Sequence, residues 1–533
     1  MRLSTSQMFN ASVSGHQKGY AALVKTQEQI TSGHRIQTAA DDPVGSARLL
    51  QLEQQAGQLS QYKSNLTDAT NSLAQEESIL QSMIKIGDRA RSLAGQAGNG
   101  AYNDHDRRAI AAELQQIENE LFGLMNSKNA SGEYWFSGSQ SGIPPYVRNP
   151  DGTYRYQGDQ SQQYLQVATG VQLSINDSGF ETFESAKNVS RTETAEMAPA
   201  TVDGVQRLYM SGGAIVDQQA FDKDFRANGP YTLTIKAQDP TNPYSPLNYE
   251  IEDGAGNVTA GPYDPAQENP KITFGGVEFA LDPLLGAGET TYGALLDGHQ
   301  FSLGMAPDDF TVIASSAAQI SKVVVGNTPA EAAAYANAFP AGGLTLKYDG
   351  ATSTFSAMAP DGITPLPWPV TYVADPLPAT TGTISIPAVG LTLKTAGAFG
   401  GGDQFKVHAD SQETRNILNT IVALRQSLQE PADGIKGGGM RIREAVAVAL
   451  GNLDSSMIQI ESTQAHIGAR MNVIDTLTAE NESLGIFNAQ TQSAIRDTDQ
   501  FEAASRLMLQ QTKLEAAHAA FVRVSQLSLF DRL

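Results

Sequence analysis

LEQQAGQLSQYKSNLTDATNSLAQEESIL (52–80) carries Leu52, Leu59, Leu66, Leu73 and Leu80 seven residues apart without a slip. Tyr62, Ala69 and Met83 follow members of that series by three residues. A strict seven-residue stripe is a narrow, coiled-coil-like seam, not the wider apolar face of an ordinary globular helix. Upstream, Asp42 can cap a helix whose first position is Pro43, where proline's missing N–H costs nothing. Run on to Gly95, such a helix is on the order of 75 Å long. The period returns at the far end of the chain in Val446, Leu453, Ile460, Ile467 and Ile474. Two seams of matching length at opposite ends are most economically joined in one bundle, with the middle of the chain looped out between them.

Shorter amphipathic patterns flank both seams. A helix is expected from about Thr5 to Ile30, and another from Asn103 or Asp104 with Ile110, Leu114, Ile117, Leu121 and Leu124 on one face. Ile417, Ile421, Leu424 and Leu428 give a helix ending at Glu430-Pro431, and Leu507, Leu514 and Phe521 form a last series capped by Asp497 or Thr498. The middle is different. It holds 22 of the 24 prolines, which helix interiors do not tolerate. KITFGGVEFAL (271–281) and LTLKYDGATSTF (344–355) read as hairpins turning at Gly275-Gly276 and Asp349-Gly350. Stretches 231–304 and 344–407 share an order of strand, turn, strand, Gly-rich turn and closing strand, so the middle reads either as one β-rich region or as two similar units.

The expected class is therefore α+β and multidomain, with long terminal helices in one coiled-coil-like bundle and a β-rich insertion. The expected divisions are 1–41 with 491–533, 42–190 with 406–490, and 191–405, the last divisible at about 205–310 and 340–405. Charge follows the same divisions: residues 136–405 hold -16 of the net -21, and the two ends are nearly balanced. Such acidity argues against nucleic acid and against anionic lipid as partners. With no cysteine in 533 residues, thiolate metal sites, cysteine nucleophiles and disulfides are excluded. AVAVAL (445–450) is far short of the roughly 20 residues of a membrane span. The N-terminus lacks the apolar core of a cleaved signal.

No catalytic constellation emerges. None of the seven histidines opens an H-E-x-x-H motif, no phosphate-binding G-x-x-x-x-G-K-[ST] occurs, and GSQSG (138–142) has Gln140 where a hydrolase elbow needs serine. Asp41 and Asp42 are better read as helix-start residues than as an acid–base pair. Neither an enzyme, a cofactor nor a metal is expected.

The separated motifs do spell a pattern. MRLSTSQMF at the start, QEQITSGHRIQTAADDPVGSARL (27–49), GEYWFSGSQSGIPPY (132–146) with YRYQGD (154–159), IGARMNVID (467–475), AIRDTDQFEAASRLMLQQTKLEAAHAAF (494–521) and the closing SLFDRL resemble the flagellin family. Within it, the two termini are more similar to hook–filament junction proteins than to flagellins proper. The resemblance covers roughly 1–190 and 400–533. It implies an extracellular structural subunit of the bacterial flagellum, exported without a cleaved signal and assembled through its terminal helices into a ring. It also implies copies of the chain, a neighbouring hook-associated protein and flagellin as partners, with an export chaperone on the C-terminal helices. For subunit assembly the expected residues are Met8, Tyr20, Leu23 and Ile30 opposite Leu507, Leu514, Phe521, Leu527, Leu529 and Phe530. The two seams should hold the outer bundle, and the terminal helices should order on assembly. Flagellin itself, or a flagellin-like surface protein with an adhesive insertion, are the alternative readings.

Overall fold

A computed structural model describes residues 5–198, 205–267, 269–286, 289–306, 308–314, 319–325, 334–335, 338–340, 343–375, 381–410 and 412–530. Its fold is α+β. Helices α1 (Thr5–Ser32), α2 (Pro43–Ala97) and α3 (Asp104–Met125) open the chain, and α4 (Ile417–Gln429), α5 (Gly438–Arg496) and α6 (Gln500–Phe530) close it. Their starts follow from local chemistry. Gly45 N–H donates to Asp42 Oδ1 at 2.9 Å ahead of α2. Asn103 and Asp106 form a reciprocal capping box at α3. The Asn416 side chain accepts from Asn419 N–H at 2.8 Å to start α4, which stops before Pro431.

α2 and α5 run antiparallel. Arg91 pairs with Asp454 at 2.9 Å, and a Cβ on Gly98 would meet Val446 Cγ1 at 3.2 Å. Nearer the chain ends, Asn481 and Asn488 Nδ2 donate to the carbonyls of Leu59 and Leu52 at 2.9 and 3.1 Å. Burial keeps the three-four spacing of a heptad over much of both helices: Leu66, Ala69, Leu73, Glu76, Leu80, Met83, Gly87 and Ala90 on α2, and Val446, Ala449, Leu453, Ser456, Ile460, Thr463 and Ile467 on α5, followed by Ile474 seven residues on. Leu52 and Leu59 are half-buried.

By contacts the chain divides into two compact units, 1–75 with 163–175 and 466–533, and 76–162 with 176–465. In the second unit α3 packs against α4 around a buried Glu118. Arg425 Nε lies 2.8 Å from Glu118 Oε2, the Tyr154 hydroxyl donates to Oε1 at 2.8 Å, and Arg148 stands at 3.5 Å. Tyr154 belongs to a short hairpin of β1 (Tyr146–Arg148) and β2 (Tyr154–Tyr156); the Asn419 amide holds its backbone N–H and C=O at 2.7 and 2.9 Å. A second hairpin, β3 (Tyr164–Ala168) with β4 (Val171–Ser174), lies in the first unit.

The middle of the chain forms two sheet pairs in succession. The first contains β5 (Thr192–Ala198), β6 (Leu208–Met210), β7 (Ala214–Ile215), β8 (Tyr231–Ala237), β9 (Leu247–Asp253), β10 (Val258–Tyr263), β11 (Lys271–Phe274), β12 (Val277–Pro283) and β13 (Gln300–Met305). Its sheets, in order β10-β9-β8-β13-β5 and β11-β12-β6 with β7 also on β12, share one core that includes Phe221, Phe225, Leu233, Phe279 and Leu303. The second contains β14 (Asp309–Ala314), β15 (Gln319–Val325), β16 (Leu344–Asp349), β17 (Thr354–Met358), β18 (Thr371–Ala374), β19 (Thr381–Ile386), β20 (Leu391–Ala396) and β21 (Gln404–Asp410). Its orders are β14-β21-β16-β17 and β15-β20-β19-β18, around Leu346, Phe355, Ile384, Leu393 and Phe405. The hairpins read at 271–281 and 344–355 are β11–β12 and β16–β17, the latter turning over 350–353.

The first sheet pair is fastened to α5. Asn452 Oδ1 accepts from Val189 N–H at 2.7 Å, its Nδ2 donates to Asn188 Oδ1 at 3.0 Å, and Glu444 accepts from Gly212 N–H. Burial pushes the Glu444 carboxyl above the usual range, and the Gly212 bond pulls only partly the other way.

Candidate assembly interface

The first unit carries the terminal helices. α1 and α6 lie antiparallel along one another: a Cβ on Gly19 would meet Leu514 Cδ1 at 3.2 Å, and the His16 ring stands 5.8 Å from His518 and 5.9 Å from Phe521. His16, Gly19, Leu23, Thr26 and Ile30 follow three-four spacing on α1, as Ala503, Leu507, Gln510, Leu514 and Phe521 do on α6 with one wider step. Only Thr26 and Ala503 of these are fully buried. Glycine, threonine, glutamine and histidine occupy places where a stable coiled coil has leucine or isoleucine. His16 Nε2 and Gln510 Oε1 are buried without a hydrogen-bond partner among the described residues, a net cost to the pair.

Where the terminal pair meets the longer helices, the connection is tight. Arg35 N–H donates to Arg496 C=O at 2.6 Å, Thr498 N–H to Gly33 C=O at 2.8 Å, and an Arg35 guanidinium nitrogen to Ile495 C=O at 2.8 Å. Gly33 holds φ at +75°, which an L side chain would strain. The Lys25 ammonium and the amides of Thr38 and Gln37 hold the Asp41 carboxyl far below the usual carboxylate range. The Ser493 hydroxyl, with Arg496, lowers Asp497 in the same region. Asp41 and Asp42 thus act as backbone and helix-start acceptors.

Of the expected assembly residues, Leu514 and Phe521 face α1 of the same chain and are half-buried, as are Leu507, Leu23 and Ile30. Tyr20 lies off the seam and is 61% exposed. The side chains of Met8, Leu527, Leu529 and Phe530 lie outside the described residues. Sequence reading missed a second apolar set: Phe501 at 88% exposure and Met508 at 68%, with Leu509, Leu484, Ile486 and Phe487 also exposed. Phe501 and Met508 are seven residues apart, so the signal was present beside the stronger 507–514–521 series. Large exposed apolar side chains in the unit that also holds the poorly filled pair mark a surface suited to association.

Among the described residues no group of three or more His, Asp or Glu could hold a metal, and no helix is long and apolar enough to cross a membrane. A cavity of about 230 Å³ between α4 and α5 is lined by Ala423, Ala445 and Ala449, and Arg441 at its edge is engaged by Glu430 and by the Pro431 carbonyl.

Residues 3–141 match the bacterial flagellin N-terminal helical region family. The chain is 30% identical over 210 residues to flagellar hook-associated protein 3 of Salmonella typhimurium, covering 39% of this chain and 64% of that one. It is 30% identical over 204 residues to the flagellar filament 41 kDa core protein of Borreliella burgdorferi, covering 35% and 59%. The chain thus spans less than two thirds of the length of these curated relatives. The crystal structure of flagellar hook associated protein-3 from Legionella pneumophila aligns with a TM-score of 0.46 at 19% identity, over 83% of this chain and 98% of that one. By the match over residues 3–141 and by these curated relatives, the chain is similar to flagellar hook-associated and filament proteins.

Proposed function

We propose that the chain is a structural subunit of the bacterial flagellum, set as a ring between the hook side and the flagellin filament. The similarity to hook-associated protein 3 carries this reading, because it is joined to an association surface built from both chain ends. Assembly runs through the α1–α6 pair, whose seam is too poor in large apolar side chains to be strongly held alone and whose neighbourhood exposes Phe501, Met508 and Phe487. Copies of the chain bury those side chains, with a hook-associated protein on one side and flagellin on the other. Leu507, Leu514 and Phe521 meet Leu23, Ile30 and their neighbours on α1, and Met8, Tyr20, Leu527, Leu529 and Phe530 belong to the same interface. Before export the C-terminal helices are shielded by a dedicated chaperone, and the subunit leaves the cell without a cleaved signal. The acidic insertion faces the medium.

The similarity to a filament core protein supports a second reading, in which the chain is itself a filament subunit. A strain lacking the chain separates the two. Retained hooks with unpolymerised flagellin shed into the medium support the junction role. Loss of the flagellin pool itself points to the filament, and normal filaments overturn both. Reintroducing the chain with Leu514→Asp and Phe521→Asp should not restore filaments.

A further inference from the structure

We infer that residues 307–411 are a self-contained second copy of the preceding β-module, spliced into a single strand of it and removable without loss of the rest. The two modules share their pairing order. In each, the first strand pairs with the last, β5 with β13 and β14 with β21. A strand near the middle of each, β8 or β16, pairs with that same last strand and with its successor, β9 or β17. A later hairpin, β11–β12 or β19–β20, forms the opposing sheet, and its second strand takes β6 or β15 at its edge. β7, β10 and β18 are the additions that distinguish the two. Each module has its own apolar core.

The splice point is legible in the hydrogen bonds. The segment 186–192 has an antiparallel partner on both sides of a gap. On one side Thr192 is opposite Met305, and Ala306 N–H donates to Arg191 C=O at 2.9 Å. On the other, Asn188 N–H donates to Glu413 C=O at 3.0 Å, Lys187 is opposite Thr414, and Arg415 N–H donates to Ala186 C=O at 2.9 Å. The partner therefore breaks off at Ala306 and resumes at Glu413 along the same segment. Bonded positions 188 and 191 are three apart, whereas an unbroken ladder needs an even step. A bulge, two residues opposite one, restores the alternation. Val189 and Ser190 are the two, and one residue is needed between Ala306 and Glu413. Gln412 supplies it.

The local side chains already serve that bulge. Asn188 Oδ1 accepts from Ser190 N–H at 3.0 Å, and its Nδ2 donates to the carbonyls of Ser190 and Gln412 at 3.1 and 2.9 Å. The two ends of the second module lie together, with Gln412 N–H donating to Asp308 Oδ1 at 3.0 Å. Joining Ala306 to Gln412 closes the strand without moving its neighbours, and Pro307, which cannot donate to a ladder, leaves with the module.

The test uses the full chain and a deletion of 307–411. The chain has two tryptophans; Trp368 goes with the second module and Trp135 stays with the helices. The deletion should keep the Trp135 emission and its unfolding midpoint, and lose one unfolding transition that the full chain displays. A deletion of 308–411, which leaves two residues in the gap, should unfold at a lower temperature because a one-residue slip turns every following side chain to the wrong face. Loss of the Trp135 transition on deleting 307–411 overturns the inference. Equal midpoints for the two deletions overturn the splice within a strand. Neither readout depends on the flagellar role.

Discussion

Replacing Arg425 with methionine removes the cation from the closed cluster that joins α3, from the N-terminal part of the chain, to α4, from the C-terminal part. Glu118 is fully buried, and Arg425 supplies its direct ion pair at 2.8 Å. Taking one partner from a buried pair costs about 3–5 kcal/mol, because the other charge is left in a medium that solvates it poorly. Tyr154 still donates to Glu118 and the half-exposed Arg148 remains at 3.5 Å, so the lower end, about 3 kcal/mol, is expected. The unit formed by 76–162 with 176–465 is large, and at about 2 cal/mol/K of unfolding entropy per residue the loss lowers its Tm by roughly 4–5 °C. Thermal unfolding followed by Trp135 fluorescence reads the same unit, since Trp135 is buried in it. The double variant Glu118→Gln with Arg425→Met removes both charges and should recover most of the loss. Tyr154 adds a second reading: its phenol is pushed up to about 12, first by burial and then by Glu118, so Glu118→Gln should bring its spectroscopic titration down. A single variant as stable as the parent, or a double variant as damaged as the single, would mean that this cluster does not hold the two chain ends together.

Other consequences can be checked as simply. Leu73→Ala, at a fully buried seam position, should cost about 2–5 kcal/mol, whereas Leu50→Ala on the same helix, 58% exposed, should stay within about 0.5 kcal/mol by chemical denaturation. Acid should loosen the first unit. Asp41 and Asp497 have folded pKa values below the unfolded 3.8, so their contribution is complete above that value and is lost as pH falls through the lower folded ones. Amide protection around 33–42 and 495–499, taken relative to the intrinsic exchange rate at each pH, should therefore fall below about pH 4 and stay constant between pH 5 and 8. Phe501→Asp with Met508→Asp should leave the monomer's far-ultraviolet circular dichroism unchanged and abolish assembly. Leu514→Asp with Phe521→Asp should likewise abolish assembly, since those side chains meet α1.

What the amino-acid pattern revealed tracks how local its causes are. Asp42-Pro43, Asn103 and Glu430-Pro431 set helix ends through caps and proline sterics within a few residues, and α2, α3 and α4 begin or end there. Heptad spacing exposed the α2 and α5 seams because a sustained seven-residue period belongs to helices that pack lengthwise along one another. It could not disclose that Asn481 and Asn488 extend the α5 period as polar members bonding to carbonyls of α2, because asparagine carries no hydrophobic signal. The Glu118 cluster was invisible for a related reason. Its four members are 118, 148, 154 and 425, and no spacing rule links them. The β-modules were legible as hairpins but not as sheets, since β13 pairs with β5 and β21 with β14 across about a hundred residues of chain each. At the terminal pair, periodicity identified the stripe that α1 and α6 turn toward each other. It did not separate that stripe from the exposed set containing Phe501 and Met508, a distinction only burial makes.

Hydrogen exchange on the purified monomer and on the assembled structure bears most directly on assembly through the chain ends. In the monomer, residues 5–32 and 500–530 should exchange rapidly while 66–97 and 446–474 are protected; on assembly the terminal segments should become as slow as the seams. Slow exchange of the terminal helices in the monomer, unchanged on assembly, would contradict it.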